Sequence, residues 1–207
     1  AVFGAGNMGL DIAQVFAVKG HDVVVRDISD ELIQKGEERL KASLARQVEK
    51  GRRTQAEADA ISAKIVFTTN MRQAADADLI VEAIVENVSI KKDLFRQLDT
   101  IVKPEAIFAT NTSSISPTEL ASATKRADRF IGMHFFNPAT VMKLIEVIRG
   151  ANTSQETFTT VYELAESLGK EPIEVAEAPG FVVNKILIPM INEAIGLVET
   201  GVATPED

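Results

Sequence analysis

Val2-Phe3-Gly4-Ala5-Gly6-Asn7-Met8-Gly9-Leu10-Asp11-Ile12 is the stretch on which the reading of the chain turns. An apolar pair precedes three glycines in the pattern G-x-G-x-x-G, and from Met8 to Lys19 the residues Ile12, Val15, Phe16 and Val18 recur at near-helical spacing. That is the end of a strand, a glycine turn and a helix, with the strand expected to begin before residue 1. Each glycine has its own mechanical use in such a turn. Gly4 permits the sharp bend, Gly6 lets backbone approach a pyrophosphate, and Gly9 allows helix and strand to pack closely, with Asn7 and Met8 at the helix amino terminus facing the phosphates. A glycine-rich turn without a ligand has the same spelling, so the motif gains its weight from the next strand and the acid at its end.

Gly20-His21-Asp22 reads as a turn into the strand Val23-Val24-Val25, which ends at Arg26-Asp27. Asp27 stands eighteen residues after Gly9, where a carboxylate accepts both ribose hydroxyls and repels a 2′-phosphate, favouring NAD. Arg26 is the counter-argument, since a guanidinium there could hold that phosphate; alternation along the strand turns it to the opposite face, and NADP stays as the alternative. Asp11 suits the positive end of the helix but sits awkwardly near a pyrophosphate, and the sequence assigns it no function. His21 reads as an exposed turn residue.

Ser29 or Asp30 can cap a helix running towards Lys50 with Leu40, Leu44 and Val48 on one face, and Thr54-Gln55-Ala56-Glu57 has the residues of a capping box for a second helix to about Ser62. The two make a helical hairpin over about 29–63. Strands follow at 64–68, 78–84 and 106–110, alternating with helices at 89–100 and 117–123. This alternation implies a Rossmann-like α/β fold: a doubly wound, mostly parallel sheet with the hairpin inserted into its order. Stretches 130–133 and 143–148 are β-rich with no long helix between them and are expected to pair antiparallel. A helix at 155–168, a strand at 173–175 and the turn Ala178-Pro179-Gly180 close a dinucleotide-binding domain of residues 1–179. From Phe181 a long helix begins whose Ile186, Leu187, Ile188, Met190, Ile191, Ile195 and Leu197 wrap most of its circumference. Such a helix needs partners the chain scarcely supplies, so 180–207 is expected to be the first helix of an all-α C-terminal domain that is truncated here.

Composition narrows the chemistry. The absence of cysteine excludes disulfides, thiolate nucleophiles and sulfur-ligated metals, and two histidines, far apart in sequence, make no metal site. A formal charge of −8 argues against nucleic acid and requires any phosphate site to be built locally. No apolar run approaches the roughly 18 residues of a membrane span, and no leader precedes the glycines, so a soluble, cytoplasmic protein is expected.

His134 opens His134-Phe135-Phe136-Asn137-Pro138, and Glu146 stands twelve residues later; a carboxylate that reaches an imidazole can make it a general base. Together with the glycine motif, Val81-Glu82-Ala83-Ile84-Val85-Glu86-Asn87, Asn111-Thr112-Ser113-Ser114, Met142-Lys143-Leu144-Ile145-Glu146-Val147 and Pro179-Gly180-Phe181-Val182-Val183-Asn184, this segment gives the chain its likeness. From residue 1 to 207, in order and spacing, it resembles the short-chain L-3-hydroxyacyl-CoA dehydrogenases, most of all the bacterial branch acting on 3-hydroxybutyryl-CoA.

The resemblance implies an NAD-dependent oxidoreductase interconverting (S)-3-hydroxybutyryl-CoA and acetoacetyl-CoA. It implies His134 as general acid and base, Glu146 as the group that orients it, and Ser113 and Asn184 as hydrogen-bonding partners of the reacting oxygen. Glu86, Lys91 and Asn111 are implied near the cofactor, and Asn137 in the substrate cleft. Ser43 and Lys50 match positions that contact coenzyme A, beside Arg46, Arg52 and Arg53 at the hairpin tip. A homodimer through the C-terminal domain is implied for the intact protein. Read without the resemblance, Ser113 is a polar loop residue, Asn184 a helix cap, Lys91 a solvated helix residue and the basic tip a complement to its helix dipole. Two other readings compete: a dehydrogenase of a free hydroxy acid or sugar acid, and a noncatalytic, crystallin-like NAD-binding protein.

Overall fold

A computed structural model describes residues 1–207. Eight strands form one sheet. In chain order they are β1 (Val2–Phe3), β2 (Val23–Arg26), β3 (Ile65–Thr68), β4 (Leu79–Glu82), β5 (Ile107–Thr110), β6 (Phe130–Phe135), β7 (Leu144–Arg149) and β8 (Glu171–Ala176). Across the sheet they run β3-β2-β1-β4-β5-β6-β7-β8, and every neighbouring pair is parallel except β6 with β7. The first six strands have the order of a dinucleotide-binding sheet, with its switch point between β1 and β4.

Helices cover both faces. Helix α1 (Asn7–Val18), the hairpin α2 (Asp30–Glu49) and α3 (Gln55–Ala63), and α6 (Gln155–Ser167) lie over a core that includes Ile12, Val25, Ile131 and Val161. Helices α4 (Val88–Asp99) and α5 (Pro117–Ala121) cover the other face, where Phe95, Phe108 and Phe130 pack edge and face with centroids 4.7–6.4 Å apart. Burying each such ring contributes about 1.5–3 kcal/mol.

Local signals set the boundaries. Ser29 accepts the Leu32 N–H, and Thr54 and Glu57 close a reciprocal capping box that starts α3 where its residues predict. Arg126 closes the end of α4: its guanidinium, over the Phe108 ring, pairs with Asp99 at 2.7 Å and donates to the carbonyls of Val102 and Lys103.

Several boundaries differ from expectation: β4 stops at Glu82, α5 stops at Ala121 and β8 begins at Glu171. Strand β6 runs through His134 to Phe135 instead of stopping at Met133, because its pairing with β7 continues there. The last helix, α7 (Val183–Glu199), begins two residues later than predicted. Phe181 has φ 51°, a left-handed conformation incompatible with a right-handed helix, and its buried ring packs 5.7 Å from that of His134. No residue of α7 is buried, and no helix of the chain is long and apolar enough to cross a membrane.

Candidate active site

The glycine turn places the amino end of α1 at the sheet's switch point. Gly6 is the capping residue and offers no side chain, so the first-turn N–H groups carry no side-chain cap and can serve a ligand. Gly4 has φ 111°, and a Cβ there would lie 2.5 Å from the Ala83 carbonyl oxygen; at Gly9 it would lie 1.9 Å from that of Gly4. At Gly6 a Cβ meets nothing within 4 Å, because this glycine borders the open cleft.

That cleft, of about 900 Å³, is lined by Gly6, Asn7, Met8, Asp27 and Ile84 among others. Asp27 accepts the N–H groups of Ala5 and Ile28, both at 2.7 Å, which ties the end of β2 to the glycine turn. Free amide donors at one end and a fixed carboxylate at the other fit a dinucleotide with pyrophosphate and ribose. Arg26, expected to face away, lines the same cleft. Its side chain lies on the side of Phe3, its partner in the β1–β2 register, and reaches the cleft because the cleft opens across the strand ends. The guanidinium donates to the Thr69 carbonyl at 3.3 Å and lies 6.0 Å from the Phe3 ring.

At the ends of β4 and β5 lies a charged cluster. Lys91 is fully buried, so it is not a solvated helix residue. Its ammonium lies 2.8 Å from Glu82 Oε1 and 2.8 Å from Glu86 Oε2. Glu86 is half-buried, and its other oxygen accepts the Ser113 N–H at 3.0 Å and the Thr112 hydroxyl. Burial pushes the Glu86 carboxyl up, but the bonds from Lys91, Thr112 and Ser113 outweigh it and hold the group below the usual carboxylate range.

Ser113 leads to the imidazole. Its Oγ lies 3.2 Å from His134 Nε2, while His134 Nδ1 lies 2.7 Å from Glu146 Oε2. His134 and Glu146 are opposed in the β6–β7 register, and both are buried. The second oxygen of Glu146 accepts the N–H groups of Val182 and Val183, each at 2.9 Å, at the start of α7. Asn184 lies on that first turn and is not its cap; its amide reaches the Ser113 carbonyl at 3.4 Å. Asn111 accepts the Phe135 N–H at 2.9 Å, bracing the strand that carries His134. An imidazole whose Nδ1 faces a carboxylate donates there and presents Nε2 as an acceptor, the arrangement a proton-abstracting group needs.

A second cleft, of about 600 Å³, runs between α1 and α2 and brings together Asn7, Ser43 and Asn137 with Arg39 and Arg46. Lys50, the residue capping the end of α2, is exposed and outside this lining, and Arg53 is engaged with Gln47 at 2.8 Å. Positive charge here thus comes from Lys35 and Arg39 along α2 together with Arg46 in its last turn, the one basic residue of the hairpin tip that lines this cleft. Asp11 also lines the cleft and is turned to the loop after β6: burial raises its carboxyl, opposed by the amides of Thr140 and Ala139 and by Lys170. Lys170 donates to the carbonyls of Ala139 and Met142 at 2.5 and 2.8 Å, and burial lowers its ammonium.

Sequence reasoning singled out neither Glu82 nor Lys170. A signal for Glu82 exists: a carboxylate inside an apolar strand requires a buried partner, and Lys91 is nine residues away on the next helix.

Residues 1–178 match the family model for the NAD binding domain of 3-hydroxyacyl-CoA dehydrogenase, and residues 180–207 match the model for the C-terminal domain of 3-hydroxyacyl-CoA dehydrogenase. The chain is 51% identical over 207 residues to the 3-hydroxybutyryl-CoA dehydrogenase of Clostridioides difficile, covering 100% of this chain and 74% of that protein. It is 42% identical over 212 residues to the human mitochondrial hydroxyacyl-coenzyme A dehydrogenase, covering 100% of this chain and 68% of that one. Its fold superposes on the crystal structure of the (S)-3-hydroxybutyryl-CoA dehydrogenase of Ralstonia eutropha with a TM-score of 0.95 at 49% identity, covering 99% of this chain and 72% of that one.

Proposed function

Because the chain belongs to the 3-hydroxyacyl-CoA dehydrogenase family and is an NAD-dependent oxidoreductase of acyl-CoA substrates, we propose that it interconverts (S)-3-hydroxybutyryl-CoA and acetoacetyl-CoA with His134 as general acid and base. The observation that carries this is the His134–Glu146 contact of 2.7 Å, with Ser113 at the other ring nitrogen.

In the oxidising direction His134 Nε2 takes the proton of the 3-hydroxyl as the C3–O bond becomes a carbonyl. Bound NAD supplies the acceptor for the hydride leaving C3. Glu146 holds Nδ1–H, keeping the acceptor nitrogen aimed at the substrate and offsetting the positive charge the ring gains. In reverse the protonated ring returns its proton to the oxygen at C3, so one residue serves both directions. The Ser113 hydroxyl, within reach of the same ring nitrogen, and the Asn184 amide hold the reacting oxygen in place.

Gly4, Gly6, Asn7, Met8 and Gly9 would hold the pyrophosphate, Asp27 the adenosine ribose, and Glu86, Lys91 and Asn111 would define the nicotinamide end. Ser43, Asn137 and Lys50 would contact the coenzyme A portion, with Arg39 and Arg46 supplying cationic charge beside the second cleft. The exposed apolar residues of α7, among them Ile186, Ile188, Met190 and Ile195, support a C-terminal domain that packs on this helix and joins two subunits. We place the enzyme in the cytoplasm.

The test is NADH oxidation with acetoacetyl-CoA and with free acetoacetate by the chain extended through that C-terminal domain. Turnover of the ester alone supports the reading. NADH binding without turnover of the ester sinks it, and equal turnover of the free acid favours a hydroxy-acid dehydrogenase.

A further inference from the structure

Glu82, at the end of β4, is fully buried, and each of its oxygens is used twice. Oε1 accepts the Ile84 N–H at 2.8 Å and lies 2.8 Å from Lys91 Nζ; Oε2 accepts the Thr110 hydroxyl at 2.6 Å and Lys91 Nζ at 3.0 Å. It therefore joins the ends of β4 and β5 to helix α4. Lys91, fully buried, has two carboxylates and no other ion-pair partner, and the second is Glu86. Glu86 in turn fixes the backbone N–H of Ser113, whose hydroxyl is 3.2 Å from His134.

We infer that Glu82 is a positioning residue for the hydride-transfer site, acting through Lys91 and Glu86 on the Ser113 loop. A buried ammonium shared by two carboxylates stays midway between them. Without the Glu82 charge it has a single anionic partner, on the cleft side, and is drawn towards it. Glu86 then loses its fixed place, and with it the hydrogen bond that sets Ser113. A displacement of this kind, on the order of 1 Å, is enough to cost on the order of a hundredfold in rate. The inference rests on the dehydrogenase reading.

The experiment compares the full chain with Glu82→Gln, Glu86→Gln and the double variant, measuring kcat, the KM for NADH and the thermal midpoint with acetoacetyl-CoA as substrate. Each single substitution is expected to lower kcat on the order of ten- to a hundredfold. The double variant should fall no further than the worse single one, because both act along one path. Effects that multiply, or a Glu82→Gln variant with unaltered kcat and KM and only a lower thermal midpoint, would overturn the inference.

If Glu82→Gln alone does not fold, Glu82→Gln combined with Lys91→Met removes both opposite charges from the interior together, a change that buried ion pairs tolerate. It should reproduce the kinetics of Glu86→Gln, and wild-type kinetics in that variant overturn the inference. An unmutated chain that fails to turn over acetoacetyl-CoA counts against the dehydrogenase reading instead.

Discussion

His134 and Glu146 sit opposite each other in the only antiparallel pairing of the sheet, and their side chains meet at 2.7 Å. The reversal of β7 makes this possible, because it brings two residues twelve apart in the chain face to face on neighbouring strands. His134→Gln should leave the fold intact and lower kcat by roughly 10²–10⁴-fold. Glu146→Gln replaces an acceptor-only group with one that also donates, so the ring tautomer is no longer specified, and kcat should fall by a similar order. Stopped-flow and steady-state NADH oxidation with acetoacetyl-CoA check both. Wild-type rates in either variant would remove the pair from the mechanism.

Asp27 and Arg26 share the cleft, so the acid is what disfavours a 2′-phosphate. Asp27→Ala should raise the KM for NADH at least on the order of tenfold and shift the NADPH-to-NADH ratio of kcat/KM upward, since a guanidinium beside the site becomes available. It also removes the acceptor of the Ala5 N–H, at a cost of about 1–3 kcal/mol in stability. An unchanged cofactor ratio would mean that Asp27 does not read the ribose.

Gly6 and Gly9 belong to one motif but should fail in different ways. A methyl group at Gly9 collides with the Gly4 carbonyl, so Gly9→Ala should destabilise the domain by about 1–3 kcal/mol or more and abolish NADH binding. At Gly6 the protein leaves room and φ is −74°, so Gly6→Ala should change stability by less than about 1 kcal/mol yet weaken NADH binding. Thermal melts and fluorescence titration with NADH separate the two outcomes.

Glu86 carries a pH dependence whose sign is set by its surroundings. Its folded carboxyl lies below the unperturbed 4.5, so its contribution to stability is fully present above that value and is lost as pH falls through the lower folded one. The difference in thermal midpoint between the wild type and Glu86→Gln should hold steady above about pH 5.5 and shrink below 4.5. A difference that instead grows on acidification would contradict the ion pair with Lys91.

Much of this architecture can be read from the chain alone, because the hydrophobic period, the caps and the glycine spacing act locally. The capping box at Thr54 and the antiparallel approach of β6 and β7 need only neighbouring residues to be inferred. What escapes is decided at long range. Lys91 has the sequence position of a solvated helix residue, and only the convergence of β4 and α4 buries it between Glu82 and Glu86. Arg26 lines the cofactor cleft although it lies on the Phe3 side of the sheet, because the cleft opens across the strand ends, which strand alternation does not describe. Asp11 gains a role once the loop after β6 is seen to fold back onto α1, a contact between residues well over a hundred positions apart.

Glu146 divides its two oxygens between the imidazole on one side and the first amides of α7 on the other. One carboxylate therefore fixes both the tilt of the His134 ring and the seat of the first turn of α7.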